Sequence, residues 1–221
     1  MTFKDRAEAG RALADALAPL MVPPCVVVAI PRGGVTVAMP IVERFRVPLT
    51  VVYARKLTAR RAPELAFGAL DEDGEMITEQ STVEALGLDP RDIDEARERT
   101  AAEIRRRMAL YGVPPLAHYL PGSTVVLVDD GLATGLTMRA ALAYARRHGA
   151  VRIVVAVPCA SAQAAVRFRR AADELVALVV DEDFVAVGQY YEEFSPVSDD
   201  EVVRMLARAA ELTAAPSAAR G

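Results

Sequence analysis

The stretch Val125-Val126-Leu127-Val128-Asp129-Asp130 most constrains how this chain can fold, because four consecutive apolar residues run straight into two adjacent carboxylates. An apolar quartet without polar alternation reads as a strand buried on both faces, the habit of parallel sheets covered by helices. The acids then stand at the carboxyl end of that strand, where open α/β sheets hold their ligands. A short turn follows, Gly131-Leu132-Ala133-Thr134-Gly135-Leu136-Thr137, and residues 138–145 begin to read as a helix. Neighbouring carboxylates accept hydrogen bonds from a vicinal diol. Free amides at a helix start, flanked by hydroxyls, bind a phosphate. Together they have the layout of a sugar-phosphate site.

Elsewhere the pattern predicts a helix over residues 3–20, stopped by Pro23-Pro24, and a buried strand over 26–30 that ends at Pro31-Arg32-Gly33-Gly34. A helix over 35–45 follows, in which Pro40 predicts a kink or a late start, and then a strand over 49–54 ending at Arg55-Lys56. Residues 58–63 read as a mobile loop, and 67–70 with 75–78 as a hairpin about Asp71-Glu72-Asp73-Gly74. Asp89-Pro90 opens a long helix that ends at Gly112, with Pro114-Pro115 beyond. Strands over 152–157 and 175–180 flank a helix over 162–171, and a helix over 199–212 closes the chain. This alternation implies right-handed crossovers and an α/β fold with a mostly parallel central sheet flanked by helices. The expected organisation is one domain over 1–213. Its core covers about 20–57 and 120–180, an insertion about 58–118 and a C-terminal hood about 181–213, with a disordered tail over 214–221.

With 52% hydrophobic residues, only 5% aromatic and no Trp, the core must be built from Ala, Val and Leu, which suits a parallel sheet under helices. A net charge of −4 and a pI near 5.4 argue against a general nucleic-acid binder, while local cations can still hold a small acidic phosphate. Two cysteines, Cys25 and Cys159, make no disulfide framework and stand in no metal-like cluster, so a reducing compartment is expected. The first residues lack the apolar core of a signal peptide and no apolar run reaches membrane-spanning length, so a cytoplasmic protein without a membrane partner is expected.

The segment from Val125 to Thr137 resembles the donor motif of the type I phosphoribosyltransferases: an apolar strand, two acids, two aliphatic residues, then Ala/Ser-Thr-Gly-x-Thr. Asp129, Asp130, Ala133, Thr134, Gly135 and Thr137 match it, whereas Gly131 replaces a branched aliphatic and Leu136 replaces a frequent Gly. The resemblance covers nearly the whole chain and comes closest to uncharacterised bacterial members of the family. It implies a Rossmann-like fold and transfer of the 5-phosphoribosyl group of PRPP to a nitrogenous acceptor, with pyrophosphate released. Asp129 and Asp130 would hold the ribose hydroxyls, and through them or water a Mg²⁺ ion. The turn over 133–137, including Leu136, would hold the 5′-phosphate. Arg32, Gly33, Gly34 and Lys56 would hold pyrophosphate, with Arg55 facing the same crevice. Arg60 and Arg61 would sit on a loop that closes over the reacting centre, and a homodimer is implied. In the aromatic-rich stretch over 183–194, Phe184 or Tyr190 could stack on a small flat acceptor or pack a terminal cap.

The cluster Arg105-Arg106-Arg107 is accompanied by Glu95, Glu98 and Glu103 and reads as a solvated helix face. Cys159, after Pro158 at an expected strand end, reads as a packing residue, and His118 and His148 as surface residues. A sensor of PRPP or nucleotides on the same fold is the rival reading, because fold does not fix function. A Walker-type NTPase lacks its GxxxxGK[ST], and a dinucleotide oxidoreductase lacks G-x-G-x-x-G after the first strand.

Overall fold

A computed structural model describes residues 1–114 and 116–214. The five strands β1 (Cys25–Ala29), β2 (Leu49–Val51), β6 (Thr124–Val128), β7 (Arg152–Ser161) and β8 (Glu174–Asp181) form one sheet in the order β2-β1-β6-β7-β8. Every pairing in it is parallel. Side-chain alternation divides the core. Val27, Ala29, Val126, Val128 and Val154 face the helices α1 (Arg6–Leu17), α2 (Gly33–Phe45) and α7 (Asp199–Ala214). Val26, Val28, Val125, Leu127 and Val155 face α5 (Leu136–Arg147) and α6 (Ala162–Ala171). Burial on both faces explains the unbroken apolar runs in the sequence.

From β1 the chain moves to β2 on one side, and from β6 it proceeds through β7 to β8 on the other. The sheet therefore has its topological switch between β1 and β6, and the crevice at their carboxyl ends is the preferred ligand position in an open α/β sheet. Val27 pairs with Val126 and Ala29 with Val128, so the turns after both strands emerge side by side although about a hundred residues separate them.

A second, antiparallel sheet consists of β3 (Arg55–Ala59), β4 (Ala62–Leu70) and β5 (Met76–Thr78). It corrects the expectation of a mobile loop over 58–63. Residues 58 and 59 belong to β3, residues 60 and 61 form the turn, and β4 starts at Ala62. Leu57, Ala59 and Phe67 are buried beneath this hairpin, which supplies the apolar side that the local sequence hides among arginines. The hairpin about Asp71 to Gly74 forms as expected, and a short helix α3 (Gln80–Ala85) that the sequence pattern does not suggest follows it.

The helix α4 (Pro90–Tyr111) has the capping box of Asp89 and Asp92, Pro90 in its first turn and Gly112 in the left-handed conformation at its end. Pro40 lies inside α2, which starts at Gly33, two residues earlier than expected. Cys159 lies within β7, not at its end, because β7 continues to Ser161. The expected tail from 214 lies, beyond Ala214, outside the described residues. No described helix is long and apolar enough to cross a membrane.

Candidate functional site

Two cavities meet at the acidic pair. The smaller, about 150 Å³, is bounded by the turn from Asp129 to Met138 together with Lys56 and Val187. The larger cleft, about 560 Å³, is walled by Arg6, Arg32, Gly33, Arg55, Lys56 and Arg107, with Pro196 and Val197 at its hood side. Lys56, Asp129, Asp130 and Thr137 belong to both. The fold thus brings together Arg32, Gly33, Arg55, Lys56, Asp129, Asp130 and residues 133–137, as the sequence predicts.

The turn after β6 is held from three sides. Leu132 exchanges backbone hydrogen bonds with the extension of β7, donating to Cys159 at 2.8 Å and accepting from Ser161 at 2.9 Å. Ser161 Oγ donates to the Ala133 carbonyl at 2.8 Å, and Arg167 donates to that of Thr134 at 3.0 Å. Gly135, with φ +75°, starts α5 in the left-handed conformation, where a side chain is disfavoured. The first helical hydrogen bond after it runs from Arg139 to Gly135 at 2.8 Å. The amides of Leu136, Thr137 and Met138 precede that bond and remain for an anion. Leu136 contributes only backbone, because its side chain is buried in the core.

Gly34 lines neither cavity but lets α2 begin directly over β6: a Cβ there would lie 2.7 Å from the Val128 carbonyl oxygen. A Cβ on Gly33 would lie 1.9 Å from Asp130 Oδ2, so glycine is required for the acid to seat against the loop. At Gly131 the branched side chain usual in the motif would collide with Val187, whose Cγ1 stands 2.5 Å from the Cβ position. The hood occupies that volume, which accounts for the departure from the family pattern.

The two acids are treated differently by their surroundings. Arg6 donates from Nε to Asp130 Oδ2 at 2.8 Å, and the Asp130 amide donates to Asp129 Oδ1 at 2.8 Å. Each carboxylate keeps one oxygen that accepts no protein hydrogen bond among the described residues. Burial and the neighbouring Asp130 push the Asp129 carboxyl well above the usual carboxylate range, with Lys56 and Arg6 opposing. Cys159 Sγ stands 3.8 Å from the Asp130 carbonyl oxygen, and burial with the two acids pushes its thiol up to about 12, so it carries no nucleophile.

Three site residues were not legible in the sequence. Arg6, 9% exposed, leaves α1 to reach Asp130 and the Ser195 carbonyl, and its guanidinium carbon sits 3.9 Å from the Phe194 ring centroid. Tyr191 donates its hydroxyl to the Asp130 carbonyl at 2.6 Å. Arg107, 8% exposed, faces the larger cleft, which corrects the reading of its cluster as a wholly solvated face. Only the period of α4, which puts Arg107 on the stripe of Ile104 and Tyr111, hints at this.

Phe184 and Tyr190 line neither cavity. They stack on one another at 5.1 Å, and the Tyr190 hydroxyl donates to Asp181 at 2.7 Å, so the contacts both make are those of a packed terminal cap. Arg60 and Arg61 are likewise drawn away from the centre: Arg60 pairs with Glu95 at 2.9 Å, and Arg61 donates to the Gly87 carbonyl at 2.9 Å.

Similarity to known proteins is specific and agrees with this geometry. Residues 8–194 match the family model described as phosphoribosyl transferase domain. Two Mycobacterium tuberculosis proteins, from strains CDC 1551 and H37Rv, each named "Putative phosphoribosyl transferase", are 42% identical over 207 residues, or 94% of this chain. The chain spans 47% of their length, about half of the curated relatives it matches. The crystal structure of TT1426 from Thermus thermophilus is 42% identical with a TM-score of 0.77, covering 94% of this chain and 99% of that one. The AQ2163 protein from Aquifex aeolicus, 16% identical with a TM-score of 0.51 over 83% of this chain and 76% of that one, shares the fold. The chain belongs to the phosphoribosyl transferase domain family.

Proposed function

We propose that this protein transfers the 5-phosphoribosyl group of PRPP to a nitrogenous acceptor and releases pyrophosphate. The observation that carries the reading is the meeting of an acidic pair, an amide-rich helix start and a cation-lined cleft at one sheet switch point, with Lys56 and Thr137 common to both cavities. The turn over 133–137 anchors the 5′-phosphate on the free amides of α5 and the hydroxyls of Thr134 and Thr137. The oxygens of Asp129 and Asp130 that accept no protein hydrogen bond accept from the ribose hydroxyls. Their charge also stabilises the positive charge that grows at C1 as the bond to pyrophosphate breaks and the bond to the acceptor nitrogen forms. Arg32, Lys56 and the Gly33 amide receive the departing diphosphate.

No group of three or more His, Cys, Asp or Glu side chains that could cage a metal exists among the described residues. Two adjacent carboxylates with open oxygens fit Mg²⁺, which keeps several waters and shares ligands with substrate phosphates. Asp129 and Asp130 would hold it through the ribose hydroxyls or through water, and it would neutralise diphosphate charge. Positioning and electrostatics suffice for the chemistry, so no covalent enzyme intermediate is required. In this reading the protein works in the cytoplasm, and neither nucleic acid nor membrane is a partner.

The test is calorimetric titration of PRPP with and without Mg²⁺, followed by a screen of nucleobases for pyrophosphate release. Asp130→Asn is expected to weaken binding or turnover about ten- to a hundredfold, the worth of one charge-assisted hydrogen bond. Micromolar, magnesium-sensitive binding that fails in the variant supports the donor site. Binding without release in the presence of any acceptor would favour the sensor, and absence of PRPP binding would end both readings.

A further inference from the structure

Residues 133–135 of the turn after β6 are seated on α6. Ser161, the cap of that helix, accepts from the Ala164 amide at 3.1 Å and donates to the Ala133 carbonyl at 2.8 Å. Further along the helix, Arg167 Nη1 donates to the Thr134 carbonyl at 3.0 Å. The Phe168 ring fills the space beside Gly135, where a Cβ would lie 2.5 Å from its Cε2. Arg167 is itself held from the three-stranded sheet. Glu79, just beyond β5, donates its amide to the Phe67 carbonyl at 2.8 Å, and its carboxylate accepts from Arg167 at 3.4 Å and from Arg139 of α5 at 2.7 Å. Ser161, Arg167 and Glu79 all stand outside both cavities, behind the turn.

The bonds to the two carbonyls decide where the next two amides point. Across a planar trans peptide, the carbonyl of one residue and the amide of the next are antiparallel. The Ala133–Thr134 and Thr134–Gly135 peptides are both trans. Fixing the Ala133 carbonyl on Ser161 therefore turns the Thr134 amide away from α6, and fixing the Thr134 carbonyl on Arg167 turns the Gly135 amide away from it too. Neither amide donates to a protein group among the described residues. Left-handed Gly135 followed by helical Leu136 has the backbone of an anion-binding nest, in which successive amides converge. Free amides therefore run from Thr134 to Met138, two more than the helix start supplies by itself.

We infer that Ser161 and Arg167 are positioning residues for the donor's 5′-phosphate: from behind the turn they aim the Thr134 and Gly135 amides at it, and Glu79 keeps Arg167 in reach. For its ligand, a sugar phosphate, this role rests on the transferase reading proposed above. A cation acting on the phosphate through charge would be weakened by its Glu79 partner. A clamp depends on that partner, because a long, partly exposed side chain loses rotamer freedom when it holds one geometry. The two roles thus give opposite consequences for removal of Glu79.

The experiment titrates ribose 5-phosphate into the full chain and its variants, then inorganic pyrophosphate at saturating ribose 5-phosphate, with a ligand-free melt of each. Arg167→Leu is expected to weaken ribose 5-phosphate about tenfold, the worth of one hydrogen bond to a charged group, and to leave pyrophosphate within about twofold. Glu79→Ala should weaken ribose 5-phosphate about threefold, the worth of one partly exposed ion pair. Ser161→Ala should weaken it as well, and Ser161→Thr, which keeps both the cap and the donor, should restore it. Equal ribose 5-phosphate affinity in the unmodified chain, Arg167→Leu and Ser161→Ala overturns the inference and leaves the donor site standing. Tighter binding in Glu79→Ala assigns Arg167 a charge role and overturns the clamp. An equal loss of pyrophosphate in Arg167→Leu, with a lowered ligand-free melting temperature, marks a structural residue and overturns it too. Failure of ribose 5-phosphate to bind the unmodified chain overturns the donor-site reading itself, and the clamp with it. Arg167→Gln repeats the test if Arg167→Leu does not fold.

Discussion

Gly33 shows how little room single residues have at this site. Its missing side chain is the seat of the Asp130 carboxylate and lies beside Arg6, so Gly33→Ala must push Asp130 out of its ion pair. PRPP binding measured by calorimetry is expected to fall at least tenfold, the cost of one charged hydrogen bond, with the sheet core intact by circular dichroism. Gly131 is constrained from the other direction. Gly131→Val restores the aliphatic common in the family and collides with Val187, so the hood should open and the melting temperature drop, as overpacked sites typically cost about 1–3 kcal/mol. Asp129 carries a pH signature. Its folded pKa is raised by burial and Asp130, so the stability it contributes is fully present below its unfolded pKa and is lost as pH rises through the folded value. Asp129→Asn should therefore melt higher than the unmodified chain at neutral pH, and the difference should shrink as pH falls into the ordinary carboxylate range. The same variant should lose PRPP, a stability gained at the expense of the site.

Among the elements, α4 and the β3–β4 hairpin join the sheet core to the cleft. The helix carries both Glu103 and Arg107, and its start depends on the reciprocal bonds of Asp89 and Asp92, at 2.9 and 3.2 Å. Asp89→Ala should cost about 1 kcal/mol in chemical denaturation, the usual worth of such a cap. Docking of α4 onto α7 has an acid limit. Arg106 above all, with Arg55 and Arg107, holds the Glu103 carboxyl down to about 2, while burial opposes. At Asp199 burial also opposes, but the bonds from Arg106 and Tyr111 prevail and lower it. A depressed folded pKa gives stability that is present above the unfolded value and lost as pH falls through the folded one. For Glu103 that window runs from its ordinary 4.5 to about 2. Thermal melts of Glu103→Gln across that window should decline less steeply than those of the unmodified chain. The hairpin also shows why residues 58–63 read as a loop: Leu57, Ala59 and Phe67 are buried only because α4 and α5 lie against β3 and β4, and no local periodicity records that contact.

Across the whole molecule, the N-terminal segment and residues 190–195 close together on the acidic pair. Phe3 donates to the Tyr190 carbonyl at 2.8 Å, Glu192 donates to that of Phe3 at 2.9 Å, and Arg6 ties Asp130 to Ser195 and Phe194. Arg6→Ala should therefore weaken PRPP binding and speed amide exchange over residues 190–195 together, whereas loss of a mere surface charge would do neither. The central strands, the long capped helix, the acidic motif and the Gly- and Thr-rich turns after β1 and β6 are legible in the sequence, because each is encoded within one contiguous stretch: an apolar run, a cap, two acids before a Thr/Gly turn. Phe184 and Tyr190 show the limit of that reading, since an aromatic cluster looks the same whether it meets a ligand or packs on itself. Contiguous sequence is thus enough for the α/β class, the order of the main elements and the placing of the acidic pair before a Thr/Gly turn at a strand end. Tertiary contact alone brings Arg6 and Arg107 into the site, fills the volume over Gly131 with Val187 and sets Arg32, Arg55, Arg106 and Arg107 around Glu103 and Asp199. Apart from the pairs of Glu103 with Arg106 and Arg107 along α4, those facts rest on contacts between residues tens to nearly two hundred positions apart, and side-chain periodicity within one element carries no information about its distant partners.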